Sequence, residues 1–209
     1  MTSYDYDDAH DSKYAEPFEV PILVANSDTL KKFGRTVEDF DKEEVWITTW
    51  PQLGSRPICP GTGNEGGVAS GEYCFKWEGD LLKGKNHAVG REYVTGRLPA
   101  GMDTSKRTHV LVRDLNYHPD GGQVFFPQDK TAFVLLLALP GDEIKLEDFV
   151  AFYCDGTFGV QIKAGIWHQA AYPIRNEAVF KNKQGKVHAC VVVDTAIEFG
   201  RYLKVPLQI

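Results

Sequence analysis

The sequence predicts an all-β protein, an antiparallel β-barrel or jelly roll of many short strands with one short helix near its N-terminus. Three observations carry this. From Gly71 onward, β-branched and aromatic residues gather in short runs, and nothing sustains an amphipathic helical period. Turn signals such as Asp120-Gly121-Gly122 and Asp155-Gly156 separate those runs. Hydrophobic residues make up 43% of the 209, enough for a sizeable core, while 20 Gly and 11 Pro suit tight turns better than a helical bundle.

Taken in order, residues 1–16 carry Tyr, Asp, His and Ser without periodicity and read as a loose tail. Residues 17–209 read as one domain, since no linker, repeat or low-complexity tract divides them. Pro17 to Val24 is extended, and its prolines suit a sheet edge. Ser27 is placed to cap a helix over Asp28–Phe33, with Leu30 and Phe33 on one face and Gly34 ending it. Trp46–Trp50 is a strand candidate, and Pro51–Gly71 is loop-like. Strands are then expected near Glu72–Trp77, Glu92–Arg97, His109–Leu115, Gln123–Phe126, Phe133–Leu139, Val150–Tyr153, Gly159–Ile162, His168–Ala171 and Ala189–Asp194, with a turn near Leu146–Asp148.

Composition removes several classes of function. The net charge of −6 is spread over mixed signs, so no surface tracks a nucleic-acid backbone. The longest apolar run, Ala132–Leu139, is too short to cross a membrane as a helix. Cys59, Cys74, Cys154 and Cys190 form no Cys-x-x-Cys pair, which excludes a zinc ribbon or thioredoxin-like motif. The N-terminus is acidic and polar rather than signal-like, so a cytoplasmic protein with reduced thiols is expected. Phosphate-binding loops and Gly-x-Ser-x-Gly are absent.

Two spacings carry chemistry. Asn116-Tyr117-His118 is followed after four residues by Gln123, and Gly159 and Gly165 lead to His168. This resembles the frame of cupin barrels, where His-x-His and Glu on one strand pair meet a further His behind a Gly-rich turn. Alternate strand residues share a face, so Asn116 and His118 both point inward, the turn returns Gln123, and His168 arrives from a facing strand. Imidazole suits a divalent ion such as nickel or zinc, but neutral amides stand here for the acid and one His. Whether such an ion binds at His118, His168 and Gln123 is left open. Gln161 and Lys163 are expected on one polar face directed into the pocket. There Lys163 would hold a carboxylate as a point charge or act as a base. Arg113, Glu72, His87 and Glu92 lie on or beside strands within reach of the cavity, Arg113 as a substrate contact. Trp167 is expected to pack on the opposite face from His168. His188, after the charged run Lys181–Lys186, is expected at the surface.

Tyr117-His118-Pro119 with Gly122-Gln123-Val124-Phe125-Phe126-Pro127, and Gly159-Val160 with Gly165-Ile166-Trp167-His168, are similar to stretches of the ureidoglycolate lyases. The resemblance implies a homodimeric cupin-like barrel that cleaves ureidoglycolate, a small carboxylate, to glyoxylate and urea in allantoin breakdown. It carries over His118, Gln123 and His168. One imidazole as base and another group as acid would move the protons, Lys163 anchoring the carboxylate and Gln123 orienting it. Departures fall at Gln161-Ile162-Lys163, where the family commonly has Asn-Tyr-His or Asn-Tyr-Ala. Asn116 stands where Glu is frequent, and Gln169 where a second His is frequent. These keep two alternatives in play: an isomerase, lactonase or lyase for another hydroxy or sugar acid, and a non-catalytic binding protein.

Overall fold

Strand pairing in the computed structural model, which describes residues 14–209, builds two open sheets. Strands β1 (Phe18–Glu19) and β2 (Ile22–Val24) precede helix α1 (Ser27–Leu30) and β3 (Gly34–Val37). A meander follows through β4 (Val68–Glu78), β5 (Leu81–Asn86), β6 (Arg91–Arg97) and β7 (His109–Val112). The chain continues through β8 (Asp114–Tyr117), β9 (Gln123–Pro127), β10 (Phe133–Ala138), β11 (Val150–Cys154) and β12 (Gly159–Ile162). Then come β13 (Trp167–His168), β14 (Tyr172–Pro173), β15 (Glu177–Gly185), β16 (Val191–Asp194), helix α2 (Thr195–Phe199) and β17 (Leu203–Pro206).

The larger sheet runs β1-β17-β7-β6-β5-β4-β15-β9-β12-β3, and the smaller runs β16-β8-β13-β10-β11-β2 with β14 also on β10. The all-β expectation holds, as a cupin-like sandwich; the expected closure of the barrel does not. β1 and β2 are short, and Pro17 and Pro21, which have no N–H to donate, bracket β1. Both strands pair parallel, β1 with β17 and β2 with β11, so the antiparallel expectation is corrected there too.

Between the sheets lies one main hydrophobic cluster. Phe180 of β15 meets Phe75 of β4 and Phe133 of β10 edge to face, at 5.5 and 5.1 Å between ring centroids. All of β10 is buried, which is why Phe133–Ala138 reads as a continuous apolar run rather than an alternating one.

Helix α1 is capped by Asn26, not Ser27. The Asn26 Oδ1 accepts the N–H of Asp28 and Thr29 at 2.9 Å each, and Thr29 Oγ1 accepts the Asn26 N–H. Gly34 opens β3 instead of ending the helix, because a Cβ there would collide with the Gln161 carbonyl across the ladder. Trp46–Trp50 forms no strand. Ile47 makes an isolated bridge to Gly121, and Trp46 and Trp50 stand 80% and 78% exposed. Residues 1–13 of the expected tail lie outside the described residues. Ala15 and Glu16 are tied down, through Ala15 N–H to Gly200 O at 3.0 Å and Arg201 Nε to Glu16 O at 2.6 Å. Among the described residues no helix is long and apolar enough to cross a membrane.

Candidate active site

β8 and β13 pair with Asn116 opposite His168, and His118 follows β8 by one residue, so all three reach the cavity between the sheets. The rings of His118 and His168 stand 5.2 Å apart at 71°. Each is oriented by a main-chain carbonyl, His118 Nδ1 by Ala189 O at 2.9 Å and His168 Nδ1 by Ile166 O at 2.7 Å. A carbonyl only accepts, so both rings carry their hydrogen on Nδ1 and a lone pair on Nε2. The His118 Nε2 receives Asn116 Nδ2–H at 3.1 Å, whereas the His168 Nε2 has no hydrogen-bond partner among the described residues.

His188 belongs to this cluster, which corrects its expected surface position. Its ring stacks on His118 at 4.1 Å and 6°, and it is only 7% exposed. Both its nitrogens are committed: Nδ1–H donates to Asp120 Oδ1 at 2.9 Å, and Nε2 accepts the Gly185 N–H at 3.0 Å. Asp120 Oδ2 also takes the Ala189 N–H at 2.7 Å, which fixes the residue whose carbonyl holds His118. His188 and Asp120 therefore buttress His118.

Burial drives the electrostatics. It pushes the His168 imidazole down to about 4, and its hydrogen bond to the Ile166 carbonyl only partly opposes this. Burial, then the neighbouring His188 and His168 rings, hold His118 well below its ordinary value. At neutral pH both rings are uncharged, and His168 offers a lone pair to whatever enters.

On the larger sheet, four amides form a second cluster. Gln184 Oε1 accepts from Asn86 Nδ2 at 2.8 Å, Asn182 Nδ2 at 2.9 Å and Gln123 Nε2 at 3.1 Å. Gln123 Nε2 also donates to Asn182 Oδ1 at 2.9 Å. Gln169 lines the same cavity and binds Asp114 through its backbone O and Oδ2. The sequence reading missed Asn86, Asn182 and Gln184. The available signal was the alternation Ala178, Phe180, Asn182, Gln184 along β15, all buried.

Three expected site residues lie elsewhere. In β12 the buried side chains are Val160 and Ile162, so strand parity turns Gln161 outward, where it accepts from Arg35 Nε at 2.7 Å and donates to Glu44 O. Lys163 is exposed and donates to Lys31 O at 2.6 Å, which removes it as the cavity's carboxylate anchor or base. Arg113 is buried in an ion pair with Asp194 at 2.9 Å, and Asp194 caps α2 through the Ile197 N–H. Glu72 and His87 are exposed, and Glu92 pairs with Lys85. Trp167 packs on Tyr117 and donates to Gly141 O, on the opposite side from His168 as expected.

The donor set does not fit a resident divalent ion. Asn116 already occupies the His118 lone pair, His188 is fully committed, and the Asp114 carboxylate accepts from Gln169, which leaves one open imidazole among neutral amides. No group of three His, Cys, Asp or Glu among the described residues is arranged to hold one.

A cupin-like β-sandwich with buried neutral imidazoles between its sheets defines the class of protein. The ureidoglycolate lyase family profile matches residues 89–196, more than half of the chain, and the chain belongs to that family. The ureidoglycolate lyases of Salmonella enteritidis and Salmonella newport are each 35% identical to it over 63 residues. That stretch covers 30% of this chain and 39% of each relative.

Proposed function

We propose that the chain is a carbon–nitrogen lyase that cleaves ureidoglycolate to glyoxylate and urea, the urea-releasing step of allantoin breakdown in purine catabolism. The observation that carries this is the open His168 Nε2, held by a main-chain carbonyl in a buried cavity and set within the family match. Ureidoglycolate bears hydroxyl, ureido nitrogen and carboxylate on one carbon. His168 Nε2 takes the hydroxyl proton, the C–O bond becomes the aldehyde C=O, the C–N bond breaks, and the proton passes to the departing urea nitrogen. Because both proton sites lie on the same carbon, one imidazole serves as base and then as acid. His118 cannot be the acid, since its only N–H is held by Ala189 O. His118 and Asn116 position the wall beside it.

Replacing His168 with Ala removes urea release, assayed as urea and glyoxylate formed, while the circular dichroism spectrum is unchanged. Full turnover in that variant overturns the role. We further propose a cytoplasmic homodimer. The free thiols of Cys59, Cys74, Cys154 and Cys190 support a reducing compartment. Sedimentation at twice the 23.4 kDa chain mass is the expected result for the dimer.

A further inference from the structure

The polarity of the cavity wall is set by main-chain groups rather than by freely turning side chains. The Ala88 N–H donates to Asn86 Oδ1 at 3.1 Å, and an N–H can only donate, so the other Asn86 atom is its NH2. That NH2 meets Gln184, which must present oxygen, and the same oxygen receives Gln123 Nε2. Both Gln123 N–H bonds are thereby used, and its Oε1 has no partner among the described residues. On the other sheet the Ala189 carbonyl fixes His118, which fixes Asn116 Nδ2 as a donor and leaves Asn116 Oδ1 unpartnered among the described residues. The Ile166 carbonyl fixes the lone pair of His168 in the same way. Walls from both sheets therefore offer hydrogen-bond acceptors, with the Asp114 carboxylate beside them.

The cations of the cavity are distributed differently. Lys76, Lys83 and Lys85 are paired with Glu177, Glu78 and Glu92 at 2.8, 2.6 and 3.0 Å. Arg91 and Lys186 also line it, are exposed, and have no acidic partner among the described residues.

We infer that the inner wall formed by Asn116, Gln123 and His168 is a subsite for N–H and O–H donors, and that the ligand's carboxylate is held outward at Arg91 and Lys186. A carboxylate among the inner acceptors would face three lone pairs with only the second N–H of Asn116 Nδ2 to receive it, whereas a ureido group and a hydroxyl supply the hydrogens those acceptors lack. The inference rests on the lyase reading for the identity of the substrate, and it fixes which end enters first.

Binding separates the two ideas because it needs no turnover. N-carbamoylglycine has a ureido group and a carboxylate but no scissile carbinol; N-acetylsarcosine has the carboxylate and no N–H. Calorimetry on the full chain should show N-carbamoylglycine binding at least about tenfold tighter. The double variant Arg91→Gln, Lys186→Gln, altered only at exposed positions, should weaken N-carbamoylglycine several-fold. Equal affinity for the two probes, no effect of the double variant, or binding of neither probe overturns the inference. Donor-dependent binding without cleavage of ureidoglycolate would instead sustain this subsite and remove the lyase reading.

Discussion

On the proposed mechanism, His168 sets the acid limb of turnover. The base form exists above its depressed value of about 4, so the acid limb of kcat/KM is expected near pH 4 instead of near the ordinary 6.5. The same shift acts on stability. Between 6.5 and about 4 the unfolded imidazole is protonated and the folded one is not, so the unfolded chain binds more protons and stability falls as pH drops through that window. Urea midpoints at pH 7 and pH 5 should differ less in His168→Gln than in the parent; an identical difference would sink the assignment. Asp120, 2% exposed, accepts from both His188 and Ala189. Asp120→Asn sets an NH2 against one of these donors, and a loss of about 1–3 kcal/mol in denaturant unfolding is expected. The spacing of Asn116, His118, Gln123 and His168 was legible because alternation on a strand is a local rule. Lys163 was not, because its direction depends on which parity of β12 is buried, and Val160 and Ile162 decide that against it.

At the scale of elements, β15 was the main loss. Its lysines suggested a solvated turn, yet Lys181 and Lys183 point outward while Phe180, Asn182 and Gln184 point in. Losing that strand hid the cavity amide Gln184 and its buried partner Asn182, and put His188 on the surface. The pairing of β9 with β12 offers a direct test of how the strands position the site. A Cβ on Gly122 would run into the Ile162 carbonyl, one residue before Gln123, whereas Gly66 faces open space. Gly122→Ala should cost about 1–3 kcal/mol and lower turnover, while Gly66→Ala leaves both within error. Equal melts for the two variants would show that the ladder yields without effect on the site.

For the whole molecule, many short strands with frequent turns describe a sandwich as well as a barrel, so local pattern could not decide closure. What decides it is non-local. β1 lies along β17 and β2 along β11, pairings that join the start of the described chain to strands more than a hundred residues away and that no run of residues announces. The indoles report on this arrangement from outside and inside. Trp46 and Trp50 stand in solvent, while Trp77 and Trp167 are 4% and 0% exposed. Iodide should therefore quench one population of the native fluorescence and leave a second, bluer one untouched. Loss of that protected emission on denaturation gives an optical signal for the unpacking of the buried indoles, obtained without any added label.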